Sequence, residues 1–176
     1  ALADKPFKFF STPQTKQCCL AIPEISSGQR TYIPMGFLKP GQIANNKLLI
    51  IPDGTIYHFG ILTSNVHMAW MRTAGSYYGP SYQYSAALVY NTFPFPDCSE
   101  EQKKKIETTA QGILDARVKY LDTDLAHLYE NDMLLFPELK KAHQANDRAV
   151  MQAYGFRQDM SEAEIVAELF RMYQDL

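Results

Sequence analysis

The segment Gly75–Ser85, "GSYYGPSYQYS", is rich in side chains that form hydrogen bonds, yet it carries no charge. The uncharged stretch continues to Pro96, so 22 consecutive residues contain no Asp, Glu, Lys or Arg. Gln83 presents an amide oxygen that accepts and an NH2 group that donates, which together match N6 and N7 of adenine. Base recognition in nucleic acid is therefore one chemistry that this segment favours. The alternative is a tyrosine-rich loop packed against its own domain.

The other reactive side chains are scattered and form no catalytic or metal-binding pattern. Cys18 and Cys19 are adjacent and Cys98 stands alone, which fits neither a zinc motif nor a disulfide framework. The glycines lack the spacing of a phosphate-binding loop. The histidines share no HExxH or other paired spacing and are His58, His67, His127 and His143. We expect no catalytic, metal or cofactor site in this chain, and a reducing cytoplasm as its location.

Charge is distributed unevenly along the 176 residues, although the net charge is only −2. Residues 1–96 carry 7 Lys and Arg against 3 Asp and Glu, whereas residues 97–176 carry 10 against 16. The positive half is therefore the better candidate for contact with a polyanion.

No apolar run approaches the roughly 18 residues of a membrane span, and we expect no membrane partner. The chain opens with "ALADKPFKFF", which suggests a piece of a longer protein.

The first 96 residues show short apolar runs separated by Pro and Gly, a pattern typical of strands. "IIPDGTIYHF" predicts a hairpin around Pro52–Gly54, and "SNVHMAWMRTAG" predicts a helix capped by Ser64 and ended by Gly75. A strand over Ser81–Tyr90 would place Ser81 and Gln83 on one face and Tyr82 and Tyr84 on the other. The remaining predicted strands are Gln17–Ile22, Thr31–Met35, Lys47–Ile51 and Thr55–Phe59.

From residue 97 onward the pattern is helical. Ser99 with Gln102 and Ser161 with Glu164 have the spacing of capping boxes, and Pro137 is suited to the first turn of a helix that Gly155 ends. The first of these helices is predicted to present an apolar stripe that reaches Leu121. The sequence thus predicts an α+β chain with a β-rich unit over 1–96, including short helices, and an all-helical unit over 97–176.

Four segments carry a resemblance to a known family: "AIPEISSGQRTYIPMGFL", "HFGILTSNVHMAWMRTAGS", "YQYSAALVYNTFPFP" and "ELKKAHQANDRAVMQAYGF". They resemble the target-recognition domain and the following helical domain of MmeI-like (type IIL/IIG) restriction–modification DNA methyltransferases, nearly end to end. The resemblance implies a parent enzyme that methylates adenine N6 of DNA with S-adenosylmethionine, and Mg²⁺ if the parent carries a nuclease. The catalytic motifs of that family lie upstream. The implied partners are double-stranded DNA and the upstream methyltransferase domain.

The resemblance also implies which residues read bases. Members of the family usually carry "GRLKSDYRYS" where this chain has "GSYYGPSYQYS", and alternate residues before the Tyr-Ser pair contact bases. Counted back from Tyr84-Ser85, the matching positions are Gly79, Ser81 and Gln83. Here the charged readers of the family are replaced by small or neutral residues, and the segment is one residue longer.

Phosphate contacts supply affinity in such complexes, and basic or hydroxyl side chains in the positive half are the candidates. We predict such contacts at Ser27, Arg30, Lys47 and Arg72.

Two other functions stay open at this point. The tyrosines at 77, 78 and 82 could form a platform for carbohydrate or peptide if they are exposed together. The chain could also be a structural module that only braces the catalytic domain. The parent could instead belong to a phage-defence system without a nuclease.

Overall fold

The computed structural model describes residues 17–174. Two three-stranded antiparallel sheets lie in the first half of the chain. In the first sheet, β1 (Cys19–Pro23) is central between β3 (Gly36–Leu38) and β4 (Leu48–Ile51). In the second, β6 (Ser81–Gln83) is central between β2 (Ile25–Ser27) and β5 (Ser76–Tyr78). The chain enters β2 directly from β1, so one continuous segment contributes a strand to each sheet.

Helices fill the rest of the structure, which confirms the α+β prediction. The helices are α1 (Ile56–Leu62), α2 (Asn65–Ala74), a π-helix (Ala86–Tyr90), α3 (Glu100–Val118), α4 (Leu125–Leu128), α5 (Pro137–Ala153) and α6 (Glu162–Gln174). The Ser64 cap and the Ser99–Gln102 box form as predicted, and Gly155 adopts a positive φ of 71° just past α5. Ser161 and Glu164 also exchange the predicted hydrogen bonds at the start of α6.

Two predicted strands are wrong, and a third is shorter than predicted. Thr55–Phe59 is not a strand with a hairpin turn before it but the start of α1, because Thr55 and His58 form a capping box there. Phe59, Ile61 and Leu62 are all buried, so this helix is apolar around most of its circumference and shows no helical periodicity. Thr31–Met35 is irregular, and the strand follows it at Gly36–Leu38.

The predicted strand Ser81–Tyr90 ends at Gln83. The backbone N–H of Tyr84 still donates to Glu24 O, but the Ser85 side chain then caps the π-helix by accepting from Leu88 N. Tyr82 and Tyr84 are buried, as predicted from their alternation. Leu121, predicted to extend the apolar stripe of α3, lies beyond the end of that helix and is 81 % exposed.

A single hydrophobic core joins the two halves of the chain. Gly60 of α1 lies against α3, where an added Cβ would come within 2.7 Å of Ile106 and 3.0 Å of Ala110. The Asn146 side chain of α5 donates to the Gly60 carbonyl oxygen at 2.7 Å. Trp70 of α2 is buried against Phe170 of α6. The helices therefore hold α1 and α2 rigidly, and α2 leads straight into β5.

No helix among residues 17–174 is both long enough and apolar enough to cross a membrane.

Candidate nucleic-acid interface

The second sheet presents one uncharged face toward solvent. Its strands are in register such that Gln83 pairs with Ile25 on one side and Ser76 on the other. Ser81 likewise pairs with Ser27 and Tyr78. Because directly opposed residues of antiparallel strands point to the same side, these side chains form one surface, which we call the outer face. It consists of Ile25, Ser27, Ser76, Tyr78, Ser81 and Gln83, none of which is buried.

The outer face has hydrogen-bonding groups that point away from the protein. Ser76 Oγ donates to Gln83 Oε1 at 3.4 Å, which steadies the amide and leaves its NH2 group free to donate. Tyr78 is 71 % exposed at the far edge. The predicted base-reading pair, Ser81 and Gln83, is therefore placed together and half-exposed on the central strand.

A tight turn and a close backbone contact fix the tip of the β5–β6 hairpin. Gly79 and Pro80 connect the strands, and Gly79 has a φ of +57° that an L side chain rarely adopts. Gly in the first central position, followed by Pro with its fixed negative φ, matches a type II′ hairpin turn. The Pro80 carbonyl accepts a hydrogen bond from Gly28 N at 3.1 Å, and a Cβ on Gly28 would lie only 2.3 Å from that oxygen. The third predicted reader, Gly79, is thus exposed at the tip.

The inner face of the sheet is packed against the helical core. Tyr82, between Ser81 and Gln83 in sequence, points inward and is buried together with Ser26 of β2. Tyr84 donates or accepts a hydrogen bond with His67 of α2, the Nε2 and OH atoms being 2.9 Å apart. Complete burial lowers the pKa of His67 to about 3, so this imidazole is neutral. Strand β6 thus rests on a buried support that carries no charge at this histidine.

The predicted phosphate contacts differ in how freely they can bind. The Ser27 hydroxyl lies on the outer face, and Lys47, paired with Glu24 at 3.2 Å, keeps 65 % of its side chain exposed. The Glu24 N–H donates to the Lys47 carbonyl, so Lys47 lies next to the residue that precedes β2. Ser27 and Lys47 are therefore close to opposite ends of β2, where the Ser27 hydroxyl and the Lys47 ammonium group can donate hydrogen bonds to a ligand.

Arg72 and Arg30 use their guanidinium groups within the protein. Arg72 makes two hydrogen bonds of 2.8 Å to the Glu162 carboxylate and so ties α2 to α6. Arg30 donates to Ser26 Oγ and to the Ala126 carbonyl, both at 3.2 Å. The geometry assigns Arg30 to bracing the second sheet against the helical half and Arg72 to joining two helices, and the Arg72 guanidinium is already paired with a carboxylate.

A three-tyrosine binding platform does not form. Tyr82 is buried, and Tyr77 and Tyr78 project from opposite faces of β5 because they are adjacent in the strand. Tyr77 packs on the Tyr82 ring at a centroid distance of 5.7 Å. The structure therefore disfavours the carbohydrate or peptide platform.

Among residues 17–174, no group of three or more His, Cys, Asp or Glu side chains could hold a metal ion. Of the other histidines, His58 is part of the cap of α1 and His127 lies within 3.0 Å of Glu130. His143 is buried beside Tyr129, with an Nε2 to OH distance of 2.7 Å. All four histidines thus have structural surroundings and no common site.

Comparison with known families gives a direct match over both halves. The family model described as "MmeI, target recognition domain" matches residues 1–97, and the model described as "MmeI, C-terminal domain" matches residues 98–176. The chain belongs to the MmeI family.

Two relatives show how far this MmeI-family chain extends. It is 39 % identical over 175 residues to DNA methyltransferase A of Bacillus subtilis (strain 168), covering 99 % of the chain and 20 % of that protein. It superposes on the structure of the type IIL restriction–modification enzyme MmeI in complex with DNA with a TM-score of 0.91 and 42 % identity. That match covers 99 % of this chain and 23 % of MmeI. The chain therefore spans about a fifth of the length of these relatives.

Sequence reasoning identified Ser81 and Gln83 but missed half of the outer face. Strands β2 and β5 are three residues long and were not predicted, so Ile25, Ser76 and Tyr78 could not be placed beside β6. The two strand-favouring tyrosines of "SYY", directly before the Gly-Pro turn, are the signal that could have revealed the hairpin.

Proposed function

We propose that this chain is the DNA target-recognition part of a site-specific DNA methyltransferase, and that its outer face contacts base edges. The observation that carries the proposal is the geometry of that face. A rigid central strand holds Ser81 and Gln83 outward on an uncharged surface, and the family model over residues 1–97 describes a target-recognition domain. A β-ribbon can enter the major groove and present alternate side chains to base edges.

The neutral character of the face supports base contact in preference to phosphate contact. Phosphates are bound by cations and amide or hydroxyl donors, which position the protein without reading sequence. The amide of Gln83 instead matches the adjacent donor and acceptor of adenine in a bidentate pair, worth about 1–3 kcal/mol of discrimination against a wrong base. We assign the positioning contacts to Lys47 and Ser27 at the margins of the face.

Catalysis belongs to the rest of the parent protein. We propose that the parent transfers a methyl group to adenine N6 of double-stranded DNA, and that the upstream domain binds S-adenosylmethionine. If the parent also carries a nuclease, that activity requires Mg²⁺. We place the enzyme in the bacterial cytoplasm with the chromosome as its substrate. The similarity to a Bacillus methyltransferase and to MmeI supports this assignment.

The helical half contributes by holding the reading strand. The contacts of Arg30 with Ser26 and Ala126 and the burial of Tyr82 both join the second sheet to helices. We propose that the helical half fixes the orientation of the outer face relative to DNA.

The direct test is Gln83→Ala in the full-length parent, with methylated positions mapped across a genome or a randomised duplex library. We expect the base accepted at one position of the site to change or relax, because one bidentate contact is lost. Gln144→Ala is the matched control, because it makes the same substitution at an exposed position on α5 and should leave the methylated sequence unchanged. Unaltered specificity in Gln83→Ala would refute the assignment.

A further inference from the structure

The turn between α4 and α5 adopts an unusual backbone conformation. Three consecutive non-glycine residues, Asn131, Asp132 and Met133, have positive φ values of 49°, 54° and 54°. The left-handed region is sterically unfavourable for L-residues and is normally visited by single residues. Such a conformation persists only where the surroundings determine it, and it is frequent at functional sites.

Two of the three residues are held by contacts within the protein. The Asp132 carboxylate accepts a hydrogen bond from Thr31 Oγ1 at 2.6 Å and pairs with the Lys140 ammonium. Met133 is buried in the core. These contacts explain Asp132 and Met133. They do not explain Asn131, whose side chain is exposed and makes no hydrogen bond to any residue within 17–174.

The turn places Asn131 on the wall of a polar pocket beside the outer face. The pocket has a volume of about 250 Å³ and is lined by Ser27, Gln29, Arg30, Glu130 and Asn131. Ser27 belongs to both surfaces, because it pairs with Ser81 in the sheet. The pocket therefore continues the outer face across the boundary between the β-rich and helical halves.

Arg30 fixes the two sides of the pocket relative to each other. Its guanidinium donates to Ser26 in the strand and to Ala126 in the helical half, and its buried Nε has no partner in the described part of the chain. The side chains of Asn131 and Gln29 line the same pocket, and their amide groups make no hydrogen bond to any residue within 17–174. The contacts of Arg30 thus hold the unpaired amides of Asn131 and Gln29 next to the second sheet, which contains β6.

We infer that Asn131 contacts a nucleobase edge in the DNA groove, so that the helical half contributes a specificity-determining residue. The inference rests on the proposed function of the outer face. An asparagine amide forms the same bidentate pair with adenine as a glutamine amide does. The pocket is lined by one cation, Arg30, and one anion, Glu130, whose charges offset each other, so a neutral base edge fits it better than a doubly coordinated phosphate anion.

Asn131→Gly tests the inference in the full-length parent. Glycine favours positive φ, so the turn is kept or stabilised while the amide is removed. We expect kcat/KM for methylation of the recognised sequence to fall about 5- to 150-fold, the range of one bidentate base contact. Discrimination should relax at one base pair, and the melting temperature should stay the same or rise. Asn131→Asp, which also tolerates this conformation, should shift the preferred base at that pair, because a carboxylate accepts but cannot donate.

Gln83→Ala, measured alongside, separates this inference from the proposed function. If Gln83→Ala changes specificity while both Asn131 variants keep the wild-type rate and sequence preference within twofold, the role of Asn131 is wrong and the outer face stands. A loss that is uniform over all sequences in the Asn131 variants would also overturn a base contact. If the Gln83 and Asn131 variants are all unchanged, the proposed function itself fails.

Discussion

Replacing Gly28 by Ala should destabilise the tip of the β5–β6 hairpin. Gly28 has no room for a side chain, because an added Cβ would lie 2.3 Å from the Pro80 carbonyl oxygen. That oxygen belongs to backbone at the tip of the β5–β6 hairpin, so a flexible side chain cannot move away to relieve the contact. The tip must shift by about 1 Å to restore ordinary van der Waals separation.

The expected loss of stability follows from three contributions. The shift breaks the Gly28 N–H to Pro80 O hydrogen bond of 3.1 Å, which contributes about 1 kcal/mol net. Overpacking costs about 1–3 kcal/mol more. The reduced freedom of alanine in the unfolded chain offsets about 0.4–1 kcal/mol. We therefore expect the free energy of unfolding to fall by about 1–4 kcal/mol.

Urea denaturation of the wild type and the variant measures this change. Gly112→Ala is the control, because it makes the same substitution inside α3, where an added Cβ meets nothing within 4 Å. It should raise stability by about 0.5–1 kcal/mol, as alanine does in a helix interior. The Gly28 substitution should also weaken discrimination between target sequences in the full-length parent. A Gly28→Ala variant as stable as wild type would show that the hairpin tip is not held as the structure describes.

Three further predictions concern the support and the margins of the outer face. Burial lowers the pKa of His67 from an ordinary 6.5 to about 3, so the unfolded chain binds a proton between these values that the folded chain does not. The free energy of unfolding therefore falls as the pH drops below 6.5. His67→Gln should reduce the slope of unfolding free energy against pH by about 1.4 kcal/mol per pH unit between pH 6 and 4. An unchanged slope would contradict neutral burial. Arg72→Gln and Glu162→Gln should each lower the free energy of unfolding by less than about 1 kcal/mol, since the ion pair is partly exposed. A double-mutant cycle should show that the two substitutions are coupled, and additive effects would exclude the ion pair. Binding of this chain to duplex DNA should be weak and fall with salt at a log–log slope of about −1 to −3, because few cations lie near the outer face and Lys47 is already paired with Glu24; tight, salt-insensitive binding would argue against the phosphate assignments.

The sequence predicted those parts of the fold that local chemistry determines. The caps at Ser64, Ser99 and Ser161 form because a hydroxyl at that position satisfies free N–H groups without help from the rest of the chain. Alternation placed Tyr82 inward, and the flanking Ser81 and Gln83 outward. Segment Ile56–Leu62 was misread because the consecutive buried residues Phe59–Leu62 erase the periodicity that separates a helix from a strand.

The rest of the site depends on long-range contacts that no local pattern encodes. The outer face requires β2, which lies more than 50 residues before β6 and is only three residues long. Asn131 reaches the same surface because Thr31 and Arg30 hold the helical half against the strand. Arg30 and Arg72 were selected as phosphate contacts for their charge, but their partners, Ala126 and Glu162, follow from tertiary packing.

Site-specific photo-crosslinking tests most directly whether the outer face meets DNA. Tyr78 lies on the outer face and Tyr77 on the opposite side of the same strand, with exposures of 71 % and 53 %. Each can be replaced by a photoreactive phenylalanine analogue of similar shape in the full-length parent bound to its target duplex. We predict that the probe at position 78 crosslinks to the recognised sequence and that the probe at position 77 does not. Crosslinking from position 77 alone, in protein that still methylates its target, would place DNA on the other side of the strand and contradict the account.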